Sequence, residues 1–265
     1  MLFLLIWKQD CVMAQIEKET IQQSCDKASS RYYIKITSDG PYLVYGLPSI
    51  DQEVIMPDED GASWVYRRGK HFETKEEPVA LCRCGASRNK PFCDGKHRTH
   101  RWDSRETASR EPLLENAETY EGETMILSDN RKYCAFARFC DAKGQIWNLV
   151  ESAETDEERR LVERESGHCP AGRLIVRDRE TGQPYEPAFA PSIGIIEDPE
   201  IKVSGPIWVK GGIRIESSDG TGYEIRNRVT LCRCGVSENK PFCDGTHASM
   251  KFHDGLTIDW QDKEW

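Results

Sequence analysis

Residues 81–97 read LCRCGASRNKPFCDGKH, and residues 231–247 read LCRCGVSENKPFCDGTH. The two stretches differ at three of their seventeen positions and are separated by a constant offset of 150 residues. Close self-similarity at a fixed offset is the sequence signature of a repeated structural unit. The chain is therefore predicted to contain two copies of one small domain, each built around its cysteines and histidine.

The repeat extends upstream of the cysteines into segments rich in β-branched and aromatic residues. Residues 34–36 (IKI) correspond to residues 201–203 (IKV), and residues 40–44 (GPYLV) correspond to residues 205–209 (GPIWV). Such composition, punctuated by Gly and Pro, is typical of strands and turns. We expect two small β-rich lobes, the first over residues 31–105 and the second over residues 191–255.

The middle of the chain, residues 106–190, is not a third copy of the repeat. Its pattern predicts strands at 124–127 and 174–176, a turn at Thr181-Gly182, and a charged helix with a narrow buried stripe at 153–163. This mixture indicates a small α+β unit. The predicted fold class of the whole chain is α+β, with two β-rich lobes flanking this unit.

The composition limits the classes of function. The 265 residues include 36 Lys and Arg against 45 Asp and Glu, a net charge of −9, and the mean hydropathy is −0.65. Nucleic acid is disfavoured as a partner because phosphate binding needs a basic face. The apolar run Leu2–Trp7 is far shorter than the ~20 residues of a membrane span. We expect a cytoplasmic protein without a membrane span, with flexible tails at residues 1–30 and 256–265.

The eleven cysteines indicate metal binding rather than a disulfide framework. Their number is odd, the chain is not small, and nine of them fall into three groups, at 82, 84 and 93, at 134, 140 and 169, and at 232, 234 and 243. Disulfide frameworks are typical of short secreted chains with paired cysteines. Cys11 and Cys25 have no partner motif, and we interpret them as free thiols.

Each repeat supplies three thiols and one imidazole as candidate metal ligands. They are Cys82, Cys84, Cys93 and His97 in the first copy and Cys232, Cys234, Cys243 and His247 in the second. The Cys-x-Cys pair places two thiols on the same side of an extended segment. The third cysteine and the histidine are four residues apart, and so share one face if Asp94-Gly95 opens a helical turn that the Asp94 carboxylate caps.

These ligands admit two kinds of centre. Zinc readily takes three cysteines and one histidine, although zinc sites usually space their cysteines two to four residues apart. A two-iron cluster instead takes Cys82 and Cys84 on one iron and Cys93 and His97 on the other. The spacing alone does not decide between zinc and iron.

A family resemblance bears on this choice. Cys93-Asp94-Gly95-Lys96-His97 and residues 243–247 (CDGTH) resemble the motif of the CDGSH, or NEET-type, iron–sulfur family, as do the preceding Cys-Arg-Cys, the Ser at 87 and 237, and Pro-Phe-Cys. Lys96 and Thr246 depart from the family Ser at a position that is not a ligand. The resemblance implies one [2Fe–2S] cluster per lobe, held by three cysteines and one histidine, in a β-rich fold.

The middle cysteines carry a second, less specific resemblance. Cys134 and Cys140, followed by Cys169-Pro170, resemble the divergent single-cluster ferredoxins. The resemblance implies a ferredoxin-like segment holding a [3Fe–4S] or incompletely ligated [4Fe–4S] cluster. Ala137 stands where a full ferredoxin has another cysteine, and His168 is a candidate substitute. The alternative is a ferredoxin-like fold without a cluster, whose cysteines are packed as small apolar residues.

These observations favour a non-enzymatic iron–sulfur protein that transfers electrons or carries clusters. The sequence has no hydrolytic triad, phosphate-binding Gly loop or dinucleotide fingerprint. A zinc-stapled interaction scaffold and a redox or iron sensor with labile clusters are the alternatives. The expected partner is an unidentified redox or cluster-acceptor protein. Whether the lobes pair within one chain or through a homodimer stays open.

Overall fold

The computed structural model describes residues 30–258, and these residues form an α+β fold, as predicted. The strands are β1 (Tyr33–Ile36), β2 (Tyr42–Tyr45), β3 (Ser49–Pro57), β4 (Ser63–His71), β5 (Val79–Leu81), β6 (Glu118–Glu121), β7 (Met125–Asp129), β8 (Leu174–Asp178), β9 (Ser192–Asp198), β10 (Val203–Lys210), β11 (Arg214–Glu216) and β12 (Arg228–Leu231). The α-helices are α1 (Ile146–Ser152), α2 (Asp156–Gly167) and α3 (Thr246–Ser249). None of the described helices is long and apolar enough to cross a membrane. Most of each predicted tail lies outside the described residues.

The two repeats are interlocked by an exchange of strands. The first sheet has the order β11-β1-β2-β5, and the second has the order β12-β10-β9-β3-β4. Strand β11 of the second repeat lies parallel to β1, with Ile215 opposite Ile34. Strand β3 of the first repeat lies parallel to β9, with Gln52 opposite Ile195. The two copies therefore pair within one chain, which is one of the alternatives left open by the sequence.

The strands take these positions because of their apolar patterns. In β1 the side chains alternate, so that Ile34 and Ile36 are fully buried between more exposed neighbours. Strand β10 is buried along its whole length, as expected for a strand that is covered on both faces. One charged pair is buried there, with Lys210 Nζ lying 2.6 Å from Glu53 Oε1. This contact compensates two charges that would be costly to bury singly.

The expected match of residues 34–36 with 201–203 is wrong. Ile201 and Lys202 form the turn between β9 and β10, and only Val203 belongs to a strand. The strand that corresponds to β1 by its place in the sheet is β9. The similarity of residues 34–36 to residues 201–203 is one of composition only. The Gly-Pro pairs do mark corresponding strands, since Gly40-Pro41 precedes β2 and Gly205-Pro206 lies within β10, at its irregularity between Ser204 and Ile207.

The middle segment forms a third sheet of order β6-β7-β8, which is antiparallel throughout. The predicted strands are present as β7 and β8. The predicted helix is α2, but it begins at Asp156 rather than 153, because Thr155 and Glu158 form a reciprocal capping box at its start. The buried side of α2 is narrow, as expected, and α1 was not predicted from the sequence. The middle segment contacts both repeats: the Tyr133 ring packs against Phe242 of the second, and Arg164 of α2 donates to the Trp64 carbonyl of the first.

Candidate metal centres

The same backbone scaffold holds the candidate ligands of each repeat. After β5, the backbone N–H of Cys82 donates to the Pro91 carbonyl at 2.8 Å, and that of Cys93 donates to the Ala80 carbonyl at 2.8 Å. After β12, the N–H of Cys232 donates to the Pro241 carbonyl at 2.8 Å. These antiparallel contacts bring the Cys-x-Cys segment beside the third cysteine. The scaffold follows from the repeated residues, since both copies form it.

Short polar side chains fix the loop between the second and third cysteines. The Ser87 hydroxyl donates to the Phe92 carbonyl at 2.6 Å and accepts the Asn89 N–H at 3.0 Å. The Asp94 carboxylate accepts the backbone N–H groups of Arg88 at 2.9 Å and Lys96 at 3.0 Å. These two bonds lower the pKa of Asp94. Asp94 thus takes the expected capping role and keeps the turn that carries the histidine in place.

The eight candidate ligands lie in four close pairs. The Sγ atoms are 3.9 Å apart in Cys82 and Cys84 and 3.6 Å apart in Cys232 and Cys234. The third cysteine lies with its Sγ 3.3 Å from Nδ1 of His97 in the first copy, and 3.4 Å from Nδ1 of His247 in the second. Two ligands on one tetrahedral ion, with bonds of ~2.0–2.3 Å, are ~3.5–3.8 Å apart. Each pair therefore fits a single metal ion.

The four ligands of one repeat do not converge on a common ion. Within residues 30–258, no group of three or more Cys, His, Asp or Glu side chains is placed to hold one metal ion. A mononuclear zinc site needs four donors around one point. A binuclear centre with two donors on each metal needs two separate pairs. The arrangement in each repeat fits the binuclear centre.

The electrostatics favour the thiolate that metal binding requires. In the first pair, a hydrogen bond from the Cys84 thiol lowers the pKa of Cys82 to about 6. The corresponding bond from Cys234 lowers the pKa of Cys232 to about 7. The positive charge of the Lys90 ammonium also lowers the pKa of Cys82. The same ammonium donates to the carbonyl groups of Gly85 and Ser87, both at 2.7 Å. One thiolate of each Cys-x-Cys pair is thus stabilised before the second thiol is deprotonated. In contrast, burial raises the pKa of the third cysteines, Cys93 and Cys243.

The two centres lie back to back. Gly85 and Gly235 both have positive φ angles, +78° and +85°. A Cβ atom at Gly85 would lie 2.3 Å from the Cys234 carbonyl oxygen, and one at Gly235 would lie 2.6 Å from the Cys84 carbonyl oxygen. Only glycine allows this backbone approach. The glycines therefore keep the two Cys-x-Cys segments in direct contact.

The centres differ in their exposure to water. His97 and Cys93 are partly exposed, and a Cβ at Gly95 would meet nothing within 4 Å. In contrast, His247 is only 4% exposed. A Cβ at Gly245 would lie 3.0 Å from a carbonyl oxygen of the middle segment. Burial, with the charge of a nearby arginine, lowers the pKa of His247 to about 4 and so keeps the imidazole neutral for metal binding.

Arg83 and Arg233, each between the two cysteines of a Cys-x-Cys pair, differ in their charged partners, although both are only 2% exposed. Arg233 contacts the carboxylates of Glu197, at 2.7 Å, and Asp254. Arg83 donates to the Ser104 carbonyl and lies 4.8 Å from the centre of the Trp102 ring. In the described part of the chain, its Nε and Nη1 have no hydrogen-bond partner and it has no carboxylate within 4.0 Å. The first centre thus has an uncompensated positive charge beside it. The Cys-Arg-Cys signal was in the sequence, but no role was assigned to it.

The middle thiols come together in one neighbourhood, as the sequence analysis grouped them. Burial and the charge of Cys169 raise the pKa of Cys140 to about 12, and Cys134 contributes in the same direction. The ring of His168, the candidate substitute ligand, lies 5.2 Å from the Phe139 ring, and its Nδ1 donates to the Arg164 carbonyl at 2.8 Å. Cys169 is buried, and Cys134 and Cys140 are partly exposed. A cluster held by these three cysteines stays a prediction.

Each of the two repeats is similar to a known protein family. A family model described as an iron-binding zinc finger of CDGSH type matches residues 39–98 and 204–248. The matched segments include all eight paired ligands. Neither curated proteins nor solved structures gave a match to the chain.

Proposed function

Because residues 39–98 and 204–248 match the iron-binding CDGSH family model, we propose that each segment binds one [2Fe–2S] cluster and that the protein transfers electrons. The family match supports iron–sulfur binding. The cluster type, the number of clusters and the electron-transfer role are the proposal. We further propose that the protein has no catalytic activity of its own and serves a redox partner protein.

The pairing of the donors is the observation that supports the cluster type. In a [2Fe–2S] cluster each iron takes two protein ligands, and the bridging sulfides complete its coordination. Each repeat offers two donor pairs, at 3.9 and 3.3 Å in the first and at 3.6 and 3.4 Å in the second. The Nδ1 atom of each histidine faces its cysteine, and so is the nitrogen that would bind iron.

The contact between the two centres supports electron transfer. Such a cluster changes its charge by one electron without breaking a bond to the protein. The chain keeps the two Cys-x-Cys segments in backbone contact through Gly85 and Gly235. Cys82 and Cys232 are buried, which limits the reaction of the thiolates with solvent. These features suit two centres that exchange electrons within one rigid unit.

A spectroelectrochemical titration of the anaerobically purified protein tests this proposal. We expect two reversible one-electron steps per chain, and Cys232→Ala should remove one step while leaving the other. Cys11→Ala, outside both repeats, is the control and should retain both steps. A colourless protein, or irreversible loss of the chromophore on the first reduction, would contradict electron transfer through two clusters.

The exposure of the first centre favours cluster carriage as the second candidate. His97 lies on a short 3₁₀ turn, Lys96–Arg98, in which no residue is buried. Loss of a histidine ligand is the easiest route to release, because a neutral imidazole holds iron less strongly than a thiolate. Incubation with an apo-ferredoxin should then transfer the first cluster before the second. Retention of both clusters, with unchanged redox steps, would favour pure electron transfer.

A further inference from the structure

A cavity of about 870 Å³ lies outside both metal centres, between α2, β4 and β10. Its walls are aromatic: the ring centres of Tyr66 and Trp208 are 4.6 Å apart, and those of Phe189 and Trp208 are 5.5 Å apart. Ligand sites in proteins are concave, mostly apolar and of this size. Flat aromatic walls fit a flat apolar ligand best.

The charged groups around the cavity leave an excess of positive charge. Glu53 is paired with Lys210, and Glu186 is paired with Arg228 behind the wall. Glu163, whose pKa is raised by burial, is the one remaining carboxyl group of the lining, against the two arginines Arg160 and Arg164.

Two cationic groups of α2 remain. Among residues 30–258, neither Arg160 nor Arg164 forms an ion pair within 4.0 Å, although the charge of Arg160 acts on the nearby Glu163. Arg164 instead lies 3.9 Å from the centre of the Trp64 ring and donates to the Trp64 carbonyl. Guanidinium groups without a carboxylate partner in the protein bind ligand carboxylates well, because their planar donors match the two carboxylate oxygens.

A polar group in the wall lacks a partner. Trp208 is 3% exposed, and within the described residues its indole Nε1–H has no hydrogen-bond acceptor. Indole N–H groups usually find a partner when buried. A ligand with an acceptor atom at its inner end would supply the missing partner.

We propose that this cavity binds a small planar heteroaromatic carboxylate. The rings of Tyr66, Phe189 and Trp208 enclose its aromatic body, and the carboxylate lies against Arg160 and Arg164, one turn apart on α2. A ring nitrogen at the opposite end accepts the hydrogen bond of the Trp208 Nε1–H. The proposal is independent of the metal centres, since none of the eight paired cysteines and histidines lines this cavity.

Three related probes test the ligand chemistry by isothermal titration calorimetry of the full chain. Quinoline-6-carboxylate has a ring nitrogen opposite its carboxylate, and we expect one molecule to bind per chain. 2-Naphthoate lacks the nitrogen and should bind about three- to tenfold more weakly. Quinolin-6-ylmethanamine replaces the anion by a cation and should bind at least about tenfold more weakly.

Two pairs of variants test the location. Gly167 lines the cavity, and a Cβ there would meet only Pro187, at 3.8 Å. The longer side chain of Gly167→Leu should therefore project into the cavity, block the ligand and abolish binding, whereas Gly167→Ala should retain it. Arg160→Gln should weaken quinoline-6-carboxylate about fivefold or more. Arg131→Gln removes an exposed arginine of the middle segment that does not line the cavity, and should change nothing.

Any one of three outcomes would overturn the proposal. Absence of binding by quinoline-6-carboxylate rules out this ligand class. Equal binding of the carboxylate and the amine rules out the role of the arginines. Binding that survives Gly167→Leu in a protein with an unchanged melting temperature places the probe at another site.

Discussion

Replacement of Arg83 by Met is predicted to lower the reduction potential of the first centre alone. Reduction adds one negative charge to a cluster, so a nearby positive charge that has no counter-ion raises the potential. Arg83 is such a charge, whereas Arg233 beside the second centre is compensated by Glu197 and Asp254. The wild-type protein is therefore expected to show a higher potential at the first centre. The greater exposure of His97 acts in the same direction, since water stabilises the more charged reduced form.

The magnitude follows from Coulomb's law. For a separation on the order of 8 Å and an effective dielectric constant of ~20, a unit charge contributes ~2 kcal/mol. For a one-electron couple, where a tenfold change in the equilibrium constant is ~59 mV, this corresponds to ~90 mV. We therefore expect Arg83→Met to lower the first potential by roughly 50–100 mV. Removal of an unpaired buried charge should not destabilise the fold.

Redox titration of the two variants Arg83→Met and Arg83→Lys provides the assay. The Lys variant keeps the charge and should stay within about 20 mV of the wild type, whereas the Met variant should shift one step and leave the other unchanged. Iron content must be equal in all three proteins. Equal potentials in the Met variant and the wild type would refute the argument that this charge acts on the cluster.

Three further predictions concern the ligands and the contact between the centres. His97→Cys and His247→Cys should each lower one potential by about 100 mV or more, because a thiolate adds negative charge to iron; unchanged potentials in both would exclude the histidines as ligands. In chemical denaturation, Gly95→Ala should lower the free energy of unfolding by only the ~1–2 kcal/mol that a left-handed backbone costs alanine, because its Cβ would lie in open space. Gly85→Ala should lower it by more, because its Cβ would also meet the Cys234 backbone. If the middle segment holds a three-iron cluster, the oxidised protein should give an electron paramagnetic resonance signal that Cys140→Ala abolishes with the loss of about three irons; a silent oxidised protein that keeps its iron in this variant excludes that cluster.

The ligand pairs could be predicted from the sequence because they depend on local structure. Cys93 and His97 are four residues apart on one turn, and the hydrogen bonds of Ser87 and Asp94 stay within seven residues. Such contacts form wherever the repeated sequence occurs. The strands β7 and β8 were predictable for the same reason, since their apolar patterns are local.

The differences between the two centres could not be predicted, because they arise from distant residues. Arg83 and Arg233 have the same neighbours in sequence, yet the partners of Arg233 lie 36 and 21 residues away. The exchange of β3 and β11 likewise depends on pairing between repeats and leaves no local pattern. The false match of residues 201–203 shows the same limit, since a short likeness of composition does not specify a strand.

The metal and sulfide content of the anaerobically purified chain tests the central claim most directly. Two [2Fe–2S] clusters require at least four irons and four acid-labile sulfides per chain, at about two of each per cluster, with zinc far below one equivalent. About two equivalents of zinc and no acid-labile sulfide would contradict the assignment and favour a zinc-stapled scaffold.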